Sequence, residues 1–122
     1  MKLELVPVPV SDVDRAKAFY VERVGFVADH DHRVQPGLRF VQLTPPGSAC
    51  SVVLGDGVTD EMAPGSQRGL QLVVADADAA RAELRGRGVD VTEVQDLPWG
   101  RFVQFADPDG NTWSLQELPQ RG

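Results

Sequence analysis

The sequence predicts an α+β fold made of two βαβββ units, and three observations predict it. First, residues 101–118 read as strand, tight turn, strand. Phe102–Phe105 and Thr112–Leu118 carry aromatic and β-branched residues in partial alternation. Between them, Asp107-Pro-Asp-Gly-Asn111 is turn chemistry: Pro presets φ, and Gly accepts φ > 0 at little steric cost. Second, the text repeats, Arg39-Phe-Val-Gln-Leu43 returning as Arg101-Phe-Val-Gln-Phe105. Third, a nearly constant offset sets Val6, Val8, Val10, Asp12, Asp14, Ala16 and Ala18 on Leu70, Leu72, Val74, Asp76, Asp78, Ala80 and Ala82. After a one-residue gap Gly25 meets Gly88, and Arg39–Val41 meet Arg101–Val103. Continued further, the same alignment sets Gly47 on Gly110 and Ser51 on Ser114.

Each element has a local reason. Residues 3–10 alternate with period two, so Val6, Val8 and Val10 share one face and Leu5, Pro7 and Pro9 the other. The two prolines remove backbone donors, which suits an edge strand. Ser11 or Asp12 caps a helix whose apolar stripe includes Val13, Ala16, Phe19, Tyr20 and Val24, and Gly25 ends it. Strands are expected over 26–33, 38–44 and 49–54, with Pro45-Pro-Gly-Ser48 as the intervening turn. Residues 55–68, rich in Gly, Asp, Pro and Ser, connect the halves. A strand at Leu70–Val74 follows, then a helix from Asp76 or Asp78 to Gly86 or Gly88. Val89–Val94 reads as the next strand and Leu97–Gly100 as a loop. The chain is thus one domain, with units at 1–54 and 69–118 joined by 55–68.

Composition excludes several functions. The 122 residues allow one domain, with 42% hydrophobic and 25% charged residues as in ordinary globular chains. A net charge of −6 speaks against a nucleic-acid binder, which needs a basic footprint. No apolar run approaches the roughly 18 residues of a membrane span, and no signal-peptide pattern opens the chain. The single Cys50 has no internal partner, as suits a reducing compartment. A cytoplasmic protein is expected. Open half-barrels leave strand edges that a second copy can cover, so a homodimer is expected too.

Two sets of residues carry a family resemblance across the whole chain. They are Val10-Ser-Asp-Val-Asp-Arg15 with Phe19-Tyr20 and Gly25-Phe26, and Val74-Ala-Asp-Ala-Asp-Ala79 with Gly88-Val89 and Asp107-Pro-Asp-Gly-Asn111. In these the chain resembles the vicinal oxygen chelate superfamily, the group of glyoxalase I, bleomycin-resistance proteins and extradiol dioxygenases. The resemblance implies that each unit curls into half of a cupped, partly open barrel with its helix outside, enclosing a small-molecule cavity. Val6, Val8, Val10, Leu70, Leu72, Val74, Trp113 and Leu115 would then face the helices. Their alternates Leu5, Pro7, Gly69, Gln71, Thr112, Ser114 and Gln116 would line the cup.

Metal-dependent members place His or Glu on the cup face of the first and last strand of each unit. Carried over by resemblance, those positions fall on Leu5, Ser51, Gly69 and Ser114. Leu and Gly offer no donor, and a neutral hydroxyl is a poor substitute for a carboxylate. No cofactor is therefore expected; a divalent metal is the alternative. Asp29-His-Asp-His32 places His30 and His32 on one strand face and the aspartates on the other. The imidazoles suit a solvated polar strand, an acid/base role, or a metal site completed from elsewhere. Trp99, between Pro98 and Gly100, suits a cavity mouth where its ring stacks on a planar ligand, or the core. Gln71, Gln104 and Gln116 offer donors and acceptors inside the cup. Arg39 and Arg101 suit ion pairs or an anionic ligand. The leading expectation is a metal-free small-molecule binder similar to drug-sequestering resistance proteins. The alternatives are an enzyme (lyase, isomerase or dioxygenase-like) using His30, His32 or a metal, and a non-catalytic interaction module.

Overall fold

The computed structural model describes residues 1–119. The first unit runs β1 (Leu5–Pro7), α1 (Val13–Ala18) with a π-helical continuation (Phe19–Val24), β2 (Val27–Gln35), β3 (Leu38–Thr44) and β4 (Ser51–Asp56). The second runs β5 (Leu70–Val74), α2 (Ala77–Gly86), β6 (Gln95–Leu97), β7 (Gly100–Ala106) and β8 (Thr112–Glu117). Each unit makes its own four-stranded sheet, ordered β1-β4-β3-β2 and β5-β8-β7-β6. In each, the first strand pairs parallel with the last and the remaining pairings are antiparallel. The sheets are cupped and do not close into a barrel. No helix among the described residues is long and apolar enough to cross a membrane.

The repeated Asp-x-Asp text caps both helices in the same way. Asp12 accepts from the Arg15 N–H and Asp76 from the Ala79 N–H, each at 3.0 Å. The first helix stops at Gly25, whose φ of 93° is a left-handed conformation that side chains resist.

Three boundaries differ from the sequence reading. Residues 3–10 form a ladder only over Leu5–Pro7, extended by the Val8 N–H to the Val53 carbonyl. Proline at 7 and 9 supplies no donor, and the Pro9 carbonyl is taken by Gly65 and Asn111. The expected strand at Val89–Val94 is replaced by β6 at Gln95–Leu97, so Leu97 and Gly100 are strand ends and Pro98-Trp99 is the turn. The cause is Thr92: its hydroxyl accepts from the Gln104 N–H, occupying a ladder position with a side chain. Its neighbours Val89, Val91 and Val94 still pack against the core. Finally, β4 begins at Ser51 and continues to Asp56.

The helix sides of both sheets meet in one core. Val41, Leu43, Val52 and Leu54 of the first sheet and Val103, Phe105, Trp113 and Leu115 of the second join Val13, Ala16, Tyr20 and Phe26. Val8 is fully buried there, with Val6, Val10, Leu70, Leu72 and Val74 packed against it, as alternation predicts. Burying such side chains is worth about 1.5–3 kcal/mol each.

A polar seam runs through this core. The Tyr20 hydroxyl donates to Asp107 at 2.7 Å and accepts from the Trp113 indole at 2.9 Å. Asp107 also accepts from the Asn111 backbone and side-chain N–H groups and from the Asp109 N–H. Burial, and then the Asp107 charge, raise the Tyr20 hydroxyl far above the ordinary phenol range. The connection lies close over this seam: a Cβ on Gly65 would stand 2.0 Å from the Asp109 carbonyl oxygen.

Candidate functional site

Because the helix sides share a core, the opposite sheet faces look outward from the chain. These are the cup faces, and strand register fixes what lies on them. In the first sheet Leu5 pairs with Ser51 and Pro7 with Val53, while Gln42 lies beside Val53 and His30 beside Gln42. In the second, Gln71 and Gln104 flank Ser114, and Phe102 lies beside Gln116. Register thus puts Leu5, Pro7, Ser51, Gln71, Gln104, Ser114 and Gln116 on cup faces. Thr112 lies beside Ala106, and its hydroxyl accepts from the Gly69 N–H at 2.8 Å.

The register corrects the repeat alignment. With Arg39 on Arg101, the ladder sets Ser51 opposite Thr44 and Thr112 opposite Ala106, so Thr112 is the counterpart of Ser51. The counterpart of Ser114 is Val53. The shift keeps parity, so both residues stay on the cup side.

The two cup faces differ in chemistry. On the first, Thr44 donates to the Asp29 carboxylate, and the Thr44 and Ser51 hydroxyls are 2.6 Å apart. Asp29 does not share the opposite face with Asp31, as strict alternation would require. A register shift between Ala28 and His30 lets it reach the cup-side hydroxyl. The His30 and His32 rings stack at 5.6 Å along the exposed strand. Apolar Leu5, Pro7, Phe40 and Val53 complete this face. On the second, Gln71 donates to Gln116 at 2.5 Å, and Gln116 donates to the Trp99 carbonyl at 2.9 Å. Trp99 is 59% exposed, beyond the core. Phe40, Gln42, Thr44, Val53 and Phe102 join the cup residues expected from the sequence; alternation along 38–44 carried the signal for the first three.

Arg39 and Arg101 lie on the helix sides and hold aspartates there. Arg39 binds Asp31 through two bonds of 2.9 and 3.0 Å and Asp14 at 2.7 Å. Arg101 binds Asp96 and Asp78, each at 2.7 Å. Arg39, then Lys17, hold the Asp31 carboxyl well below the usual carboxylate range.

The residues do not fit the family's metal. At the first pair of positions stand Leu5 and Ser51, at the corrected second Gly69 and Thr112, and beside that Gln71 and Ser114. None offers imidazole or carboxylate. Among the described residues no group of three or more His, Cys, Asp and Glu gathers as a metal site. A concavity of about 460 Å³ lies between the units, walled by Phe26, Pro45, Gln71, Leu72, Val74 and Leu84.

This architecture has close counterparts. The model of the glyoxalase/bleomycin resistance protein/dioxygenase superfamily matches residues 2–115. The chain belongs to that superfamily. Among solved structures it is similar to TnmS3, an antibiotic binding protein from Streptomyces sp. CB03234, at 44% identity and a TM-score of 0.88. That match covers 98% of this chain and 97% of the other. It is also similar to a glyoxalase/bleomycin resistance protein from the same organism, at 45% identity and a TM-score of 0.84, covering 95% and 100%. An uncharacterized protein of Bacillus subtilis (strain 168), YetH, is 31% identical over 116 residues, covering 92% of this chain and 94% of its own. Family membership accounts for the two cupped sheets, and the chemistry of this member rests on its own cup residues.

Proposed function

We propose that the chain is a metal-free small-molecule binder that sequesters a planar, partly polar compound of the antibiotic type. The observation that carries this reading is the cup face itself: apolar Leu5, Pro7, Phe40 and Val53 with the Thr44 and Ser51 hydroxyls on the first sheet, Phe102 with the Gln71, Gln104 and Gln116 amides and the Ser114 hydroxyl on the second, and no imidazole or carboxylate at the family's metal positions. Apolar lining with a few placed polar groups suits ligand capture, and an exposed indole at Trp99 suits stacking on a flat ring. The 44% identical antibiotic binding protein supports the same reading. Since the cup faces point outward, a cavity needs a second wall. A second copy of the chain supplies it, the first-unit sheet of one protomer closing against the second-unit sheet of its partner. The compound then has walls of unlike chemistry on its two sides.

The test is to incubate chelator-treated protein with a panel of planar polycyclic antibiotics, separate protein from free compound by gel filtration, and weigh what co-elutes. The expected result is a dimer carrying one compound per subunit, unchanged in mass. A product of altered mass would assign an enzyme instead, and His30 and His32 would be the first residues to replace.

A further inference from the structure

The hydroxyl chain on the first cup face has a fixed direction, and that direction selects ligands. Thr44 owns one hydroxyl proton, and its bond to the Asp29 carboxylate uses it, because a carboxylate only accepts. The Thr44 oxygen and the Ser51 oxygen are 2.6 Å apart, so one of them must donate to the other. With the Thr44 proton committed, the Ser51 proton fills that bond. What Ser51 retains for the cup is lone-pair density, sharpened by the charge at the far end of the chain. Ser51 lies on the cup side of β4, since its neighbour Val52 is in the core, and it is only 5% exposed. A ligand group reaching it leaves water behind, so a mismatch there is costly.

The counterpart position has the opposite polarity. Thr112 accepts from the Gly69 N–H, which leaves its own proton free to donate.

We propose that Ser51 acts as an acceptor-only anchor, so that the cup prefers ligands presenting an O–H or N–H donor, such as a phenol, over their capped ethers. This rests on the cup-binding reading above. Asp29 and Thr44 are positioning residues in it: they touch Ser51 or each other and set its proton.

The experiment titrates chelator-treated protein at pH 7 with 2-naphthol and with 2-methoxynaphthalene, followed by ligand-observed NMR. The rings match, and only the first carries a donor. Wild type should prefer the naphthol by about tenfold, the ratio that one buried hydrogen bond of ~1.4 kcal/mol gives. Ser51→Ala should bring the two probes level. Thr44→Val returns the Ser51 proton to the cup, and the methyl ether should gain on the naphthol relative to wild type. A purely steric role for Ser51 would not produce that reversal. Equal binding of both probes by wild type, or an unchanged preference in Thr44→Val, would overturn the inference while leaving cup binding intact. Failure of both probes to bind would overturn the cup-binding reading, and the anchor would fall with it.

Discussion

Arg39 and Arg101 do the same job in the two units. Each leaves the third strand of its sheet on the helix side and clamps one aspartate on the preceding helix and one on the neighbouring strand. Yet the Arg39 side chain is 7% exposed and that of Arg101 35%. The cup faces differ more sharply, with an Asp29–Thr44–Ser51 chain on the first sheet and a Gln71–Gln116–Trp99 chain on the second. The repeat therefore preserves what builds a βαβββ unit and releases what a ligand would meet. The seam between units departs from the repeat as well. Tyr20 makes it, while the equivalent helical position in the second unit is Leu84.

That asymmetry can be tested at its strongest point first. Asp107→Ala would strip partners from Tyr20, Asn111 and the Asp109 N–H inside the core. A loss of about 3 kcal/mol is expected in urea unfolding, from several buried donors left unpaired. The arginines come next. Arg39→Ala should cost about 2 kcal/mol, because it leaves Asp31 partly buried without its main partner. Arg101→Ala should move the Tm far less, since its partners are solvated. Equal effects would mean the two clamps are equivalent despite their burial.

The Asp31 carboxyl also sets a pH dependence. Its folded pKa is depressed, so its contribution is present above the unfolded value of roughly 4 and lost as pH falls below it. Wild type and Arg39→Ala should therefore converge in stability as pH drops below about 4. Tyr20→Phe, which removes the hydroxyl between Asp107 and Trp113, should cost about 1 kcal/mol at neutral pH. The chain has one tyrosine, so its titration is visible by absorbance. Its pKa is raised, so its contribution is present below the unfolded value of about 10 and lost as pH rises above it. No tyrosinate signal should appear before alkaline unfolding. Free ionisation near pH 10 in folded protein would contradict the buried seam.

Much of this was legible in the sequence because period-two alternation and capping are local. Val8, Trp113 and Leu115 lie in the core and Gln71 and Ser114 on the opposite face because a strand offers only two sides. Asp12 and Asp76 start their helices and Gly25 ends one for reasons within a few residues of themselves. The failures were non-local. Ser51 was matched with Ser114 because the β3–β4 connection holds six residues and the β7–β8 connection five, and only ladder register resolves that difference. The strand at Val89–Val94 was misplaced because the Thr92 side chain takes a ladder bond. Asp29 was assigned by alternation to the face of Asp31, whereas a register shift redirects it to Thr44. The hydroxyl chain at Ser51 was invisible for that reason.

The central claim is a cup that binds without metal, and calorimetry on chelator-treated protein tests it most directly. The titrant is whichever planar antibiotic co-elutes with the protein. The account predicts saturable heat with one compound per subunit, unchanged by added zinc and much weakened by Trp99→Ala or Phe40→Ala. Heat that appears only once zinc is supplied would contradict it, and so would full binding in both aromatic variants.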